Sequence, residues 1–179
     1  RALKDGVDLF LTYLQNVEAE DKVDFVAYTY SESVGAKLES GLTNDLELIR
    51  TLKTQRQAGH YNAYTNIGAG MAKGRAELVA NARPKAFRMM VLMTDGLPNK
   101  PTNESTGTAL VLSEAQLAAQ NNIKILAVSV GAGADSSLMQ QVADITGGLH
   151  FNVPGGQSVA AYTAQLQEVF RTVASSRPL

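Results

Sequence analysis

The sequence predicts an α/β fold with a mostly parallel sheet covered by helices on both faces, and three observations carry that prediction. Short apolar runs alternate with longer segments whose apolar residues recur at helical spacing, the pattern of βα units. Two of the runs, Arg88–Thr94 and Ile123–Val130, read as buried strands. Each ends in a turn signal, Thr94-Asp95-Gly96 after the first and Gly131-Ala132-Gly133 after the second. In open α/β sheets ligands collect outside the carboxyl ends of such strands, so Asp95 stands where metal or phosphate chemistry is done.

The elements follow in order. Leu3, Val7, Phe10, Leu11, Leu14 and Val17 form a helical stripe. Val23–Tyr30, rich in valine and aromatics, reads as a strand, and Val34–Thr43 as a shorter, more polar one at a sheet edge. Asn44 followed by Glu47 resembles a capping box and opens a helix through about Lys53. Gln55–Tyr64 is a polar loop, and a helix runs from near Thr65 to about Asn81, with Pro84 ending the connection.

After the strand Arg88–Thr94, the segment Leu97–Thr108 carries two prolines and reads as a loop before a helix over Ala109–Gln120. Beyond Ile123–Val130, Asp135 or Ser136 caps a helix with Leu138, Val142 and Ile145 on one face. Gly147-Gly148 stops it, and Leu149–Val153 is a short strand. A last helix is expected over Ser158–Ala174, its stripe formed by Val159, Tyr162, Leu166, Val169, Phe170 and Val173. With no repeat, low-complexity tract or linker in view, residues 1–179 are expected to form a single domain.

Composition sets the bounds. A chain of 179 residues with 45% hydrophobic and 18% charged residues can bury a full core. A net charge of -1 gives no nucleic-acid footprint and no polybasic membrane patch. Cysteine is absent, which excludes disulfides, thiolate zinc sites and cysteine nucleophiles without fixing the compartment. The chain opens on Arg1-Ala-Leu-Lys, which reads as the inside of a helix. A piece of a longer protein is therefore expected, with any membrane anchor outside it.

Ala63-Tyr64-Thr65-Asn66-Ile67-Gly68 opens a helix, and Thr94-Asp95-Gly96-Leu97-Pro98-Asn99 closes a strand. With these two loops, and with Val128-Ser-Val-Gly131 after them, the chain resembles the von Willebrand factor A domain family over essentially its whole length. The resemblance implies a Rossmann-like three-layer sandwich. It also implies a metal-ion-dependent adhesion site whose ligands come from three loops. Thr65 matches the family's threonine and Asp95 its third-loop aspartate. The site would hold Mg2+ or Mn2+ and leave one position for an exposed Asp or Glu of a protein partner. Tyr61, Tyr64, Asn66 and Gly96 would shape the rim that meets that partner.

One part of the family pattern is missing. The first-loop motif Asp-x-Ser-x-Ser does not occur in these residues, nor does the central first strand that should precede it. Its neighbours would be Val23–Tyr30 and Arg88–Thr94, and unpaired buried backbone groups cost roughly 1–3 kcal/mol each. The strand is therefore expected to be supplied upstream of Arg1, by a tag or by another chain, or to have been removed by processing. The metal is expected to bind when that loop is present.

Plainer readings stand beside these. Asp-Gly after a strand is a common turn whose carboxylate bonds local amides, and Thr65 alone reads as a helix N-cap. Gly68, Gly70 and Gly74 lack the strand and lysine of a phosphate loop, so close helix packing suits them better. His60 reads as a solvated loop residue, and His150 alternates with Leu149 and Phe151 in a strand. Met89, Met90 and Met93 read as core filler, and Asn103-Glu-Ser105 as a chance glycosylation sequon.

The expected role is protein–protein interaction or adhesion without catalysis. A competing role is a Rossmann-like metal-dependent hydrolase or phosphoryl-transfer enzyme using Asp95, which would need a second acid or base such as Glu32, Glu104 or Asp135. A third is a metal-free scaffold. The resemblance extends to Tad-type pilus assembly members through the ending Ala174-Ser-Ser-Arg-Pro-Leu179, which implies an extracytoplasmic or membrane-associated place in a bacterium; a cytoplasmic one is the alternative. In some members of the family the last helix, here Ser158–Ala174, slides on ligand binding.

Overall fold

The computed structural model describes residues 2–17, 26–32, 35–56 and 64–153, and positions 161, 164, 165, 167–169 and 172 of a last helical stretch. Its elements run α1 (Ala2–Val17), β1 (Val26–Glu32), β2 (Gly35–Thr43), α2 (Leu46–Thr54), α3 (Ile67–Asn81), β3 (Arg88–Thr94), α4 (Glu104–Gln120), β4 (Ile123–Val130), α5 (Ser136–Thr146) and β5 (Leu149–Val153). The three strands β3, β4 and β5 are parallel and lie in that order, with β4 in the middle. β1 and β2 pair antiparallel as a separate two-stranded sheet.

Every residue of β4 from Ile125 to Val130 is buried. Its two faces therefore need two helical layers. On one face Ile125 and Ala127 pack against Ile67 and Met71 of α3, Val111 and Ala115 of α4, and Leu138 and Val142 of α5. On the other, Leu126, Val128 and Val130 meet Leu3, Phe10 and Tyr13 of α1 and Val169 of the last helical stretch. The three-layer α/β architecture expected from the sequence is thus present.

α2 is held on α1 by Leu11, Leu14, Leu46 and Ile49, and by Lys53 and Arg50, both paired with Asp8. α5 is tied to β4 at the start of the strand. Thr146 Oγ1 accepts the Ile125 amide at 3.1 Å, and Gly148 lies so close to the Ile125 backbone that a side chain there would collide with it.

β3 has a strand partner only in β4, and β1 only in β2, among the described residues. β3 is apolar on both sides: Met90 and Leu92 face the α3–α4–α5 core, while Met89, Val91 and Met93 face the α1 side. All five are only half-buried, whereas β4 is sealed from Ile125 onward. Edge strands normally carry charge or proline to blunt pairing, and after Arg88 this one has neither.

Three helix starts differ from expectation, each for a capping reason, and β1 runs on to Glu32 instead of ending at Tyr30. α2 is capped by Asp45, which accepts the Leu48 amide, so the Asn44–Glu47 capping box does not form; Glu47 instead pairs with Arg50. α4 begins at Glu104, earlier than the expected Ala109, because Asn103 and Thr106 form a capping box that ends the proline-rich loop sooner. α3 begins at Ile67 behind an Asn66 cap. His60 and Tyr61 lie outside the described residues, as do most of the positions expected in the last helix.

Hydrogen exchange should separate the two apolar strands. The amides of β4 are expected to exchange slowest, and those of β3 measurably faster along its outer edge. Equal protection along both strands would contradict an open β3 edge.

Candidate functional site

The carboxyl ends of β3 and β4 and the amino end of α3 meet at one edge of the sheet. The fixing contact is a pair of reciprocal bonds between two loops. The Thr65 N–H donates to Asn99 Oδ1 at 2.7 Å, and the Asn99 N–H donates to the Thr65 carbonyl at 3.1 Å. Glycines let the surrounding backbones close in. Gly107 of α4 lies against the carbonyls of Pro98 and Lys100, and a Cβ on Gly133 would come within 2.7 Å of the Asp95 carbonyl.

α3 carries this edge and is itself held by β2 and α4. Glu77 accepts the Leu42 amide of β2 at 2.8 Å, and Arg75 makes paired bonds to the buried Glu114 of α4 at 2.8 and 3.3 Å. Gly68 packs against Leu110, the close helix approach expected of that glycine; Gly70 has open space beside it.

Within this frame, both plain duties expected of Thr65 and Asp95 are performed by their neighbours. The cap of α3 is Asn66, whose Oδ1 accepts the Ala69 N–H at 3.2 Å. The turn after β3 is closed by Thr94, whose buried hydroxyl accepts the Gly96 N–H at 3.3 Å and bonds the Gly96 carbonyl at 3.1 Å. The Thr65 hydroxyl and the Asp95 carboxylate therefore have no hydrogen-bond partner among the described residues. Asp95 is exposed. The Thr65 hydroxyl lies beside the turn, 3.2 Å from where a Cβ on Gly96 would stand.

The other expected rim positions divide. Tyr64 is half exposed, and Gly96 is partly exposed beside Thr65. Asn66 is 5% exposed, so its side chain caps the helix and is not part of the open rim. Sequence reasoning did not single out Leu97, Asn99 or Lys100. Leu97 is 41% exposed, and Lys100 Nζ lies 3.9 Å from the centre of the Tyr64 ring. An apolar residue directly after the Asp-Gly turn was the available signal for Leu97; none existed for Lys100.

Among described residues no group of three or more His, Cys, Asp or Glu side chains gathers as a metal cage. Of the acids considered for an enzyme, Asp135 is occupied as the α5 cap, accepting the Leu138 amide at 2.9 Å, and Glu104 sits in the first turn of α4.

The sequence pattern of the von Willebrand factor type A (VWA) domain matches residues 3–170. The chain belongs to the VWA domain family. Domains of this family are generally protein–protein interaction modules. No curated protein matches the sequence significantly. Solved structures share the fold at low identity. The VWA domain of SpRpn10 matches with a TM-score of 0.67 at 15% identity, over 96% of this chain and 82% of that one. The minor pilin PilB of Streptococcus sanguinis matches with a TM-score of 0.68 at 13% identity, over 99% and 56%. Proximal thread matrix protein 1 of the mussel byssus, solved with zinc in its adhesion-site motif, matches with a TM-score of 0.60 at 18% identity, over 95% and 42%. This VWA domain thus spans about half the length of the latter two chains. No described helix is long and apolar enough to cross a membrane.

Away from the edge, a partly buried histidine joins β4, β5 and α5. His150 Nε2 bonds the buried Ser129 hydroxyl at 2.8 Å, and its Nδ1 bonds Gln140 Oε1 at 3.2 Å. Burial lowers the His150 pKa below its ordinary value, opposed in part by Asp144.

Two outcomes are expected. Asn99→Ala removes the acceptor of the Thr65 amide and should destabilise by about 1 kcal/mol, with NMR shifts spreading through 64–66 and 94–99. Shifts confined to position 99 would show that the bridge does not hold the loops. Because the folded pKa of His150 lies below the unfolded one, the unfolded state takes up the proton more readily. Its contribution to stability is complete above the ordinary value of 6.5 and falls as pH drops through the lowered folded value. Chemical denaturation across that range should show a steeper acid loss for the native chain than for His150→Gln, and parallel curves would refute it.

Proposed function

We propose that this domain holds a divalent cation, magnesium or manganese, between Thr65 and Asp95 and binds a partner protein's Asp or Glu through it. The observation that carries the reading is the pair of disengaged oxygens. Asn66 caps the helix and Thr94 closes the turn, which leaves a hydroxyl and a carboxylate from two fixed loops with no internal task. Both are hard oxygen donors, the chemistry that suits magnesium, which keeps several waters and accepts only one or two carboxylates. The pair fits such an ion as part of its shell, with water or further oxygens completing it.

Bound there, the ion would supply a Lewis-acidic position for a partner's carboxylate oxygen. Asp95 provides one negative charge, which keeps net positive charge available for the incoming acid. Thr65 orients through its hydroxyl, and the Asn99 bridge holds that residue against the turn. The amino end of α3 adds a partial positive charge that favours the arriving carboxylate. No bond is broken in this scheme. The likeness in fold to a minor pilin supports placing the module in a surface or pilus-associated assembly.

The lack of an Asp-x-Ser-x-Ser segment in these residues favours a second reading, a metal-free scaffold that uses the same edge. Manganese decides between them. Mn2+ should broaden NMR signals of residues 64–66 and 94–97, and Thr65→Ala and Asp95→Ala should each weaken Mn2+ binding about tenfold, near 1.4 kcal/mol. Broadening elsewhere, or native affinity retained in both variants, would leave the scaffold reading.

A further inference from the structure

The loop that follows Asp95 carries a second set of disengaged groups. Lys100 has no carboxylate within ion-pair distance among the described residues, although Asp95 lies in the same loop. Its ammonium rests 3.9 Å from the centre of the Tyr64 ring. That contact spans the two loops joined by the Thr65–Asn99 bridge, so the cation is held at the rim. Tyr64 is 50% exposed and Leu97 41% exposed, the large apolar side chains most open to solvent at this edge. Pro98, next to Leu97, is buried, and its carbonyl is backed by Gly107.

We infer that Tyr64, Leu97 and Lys100 form a recognition surface for a protein segment in which an acidic residue is flanked by apolar or aromatic ones. This deepens the reading above and rests on it for the location of the site. The chemistry is complementary at each point. Lys100 offers an unpaired ammonium to an acid, and the aromatic ring beneath it keeps the cation partly desolvated, where it attracts an anion more strongly. Leu97 and the exposed part of Tyr64 offer apolar area that a neighbouring leucine or phenylalanine would cover. A purely acidic segment would leave that area wet, and a purely apolar one would leave Lys100 unpaired. The surface therefore selects the combination, and this selection does not depend on the ion.

The test uses the 179-residue chain and fluorescein-labelled peptides with Leu-Glu-Phe, Leu-Gln-Phe or Ser-Glu-Ser at the centre of a Gly-Ser frame. Anisotropy is read with Mg2+ and with EDTA. The Leu-Glu-Phe peptide should bind more tightly than either control by about threefold or more, the scale of a rim charge pair or a partly covered side chain. In EDTA, Lys100→Met should erase the preference for Glu over Gln, and Leu97→Ser the preference for Leu-Glu-Phe over Ser-Glu-Ser. NMR spectra of both variants establish that they remain folded. Equal binding of the three peptides, unchanged preferences in the two variants, or no binding at millimolar peptide would overturn the inference. The two readings fail separately. Preferences that persist in EDTA with no gain in affinity on adding Mg2+ support the rim while removing the ion, whereas loss of binding in Asp95→Ala with intact binding in Lys100→Met and Leu97→Ser supports the ion and removes the rim.

Discussion

The burial of β4 on both faces is the constraint from which the remaining structure follows. A strand whose residues Ile125–Val130 are all sealed cannot sit at a surface, so helices must cover each side and parallel neighbours must flank it. Parallel pairing forces crossover helices, and crossovers bring every loop after a strand to one edge. The turn after β3 and the amino end of α3 meet there for that reason. Thr146 and Gly148 hold α5 against the start of β4 and set the opposite end of the same layer.

At that edge, small polar residues take up the structural duties, which leaves functional ones free. Thr94 and Asn66 satisfy backbone amides that would otherwise draw in Asp95 and Thr65. Asn99 then ties the two loops to each other through backbone and side chain together. An exposed carboxylate on a mobile turn would contribute little to binding. On a turn closed from within and buttressed by Gly133 and Gly107, it is pre-organised.

β3 marks the place where the sheet is least self-sufficient. Its side chains match those of an interior strand, yet its outer ladder has no strand partner among the described residues. Five half-buried apolar residues face two cores, so any strand laid beside β3 would gain apolar burial on both faces at once. The same edge runs up to Thr94 and Asp95, so order along β3 bears directly on the candidate site.

Much of this was readable from the residues. The runs at 88–94, 123–130 and 149–153 have the bounds of the observed strands, and in β4 burial on both faces leaves a nearly unbroken hydrophobic signature. The order of elements and the two loop motifs were equally local, and they sufficed to identify the family. Helix starts were less so. Asp45, Asn66 and Asn103 each compete with a neighbouring polar residue for the cap, and only the path of the chain selects among them. The division of labour at the site was not readable either. Sequence places Thr94 beside Asp95 and Asn66 beside Thr65 without saying which of each pair turns inward. The bridge from Asn99 to Thr65 joins residues far apart in the chain, and so does the seat of Lys100 on Tyr64. Periodicity and turn chemistry act within a few residues and so fixed the elements; side-chain duty depends on which loops are folded against one another, which only the tertiary structure decides.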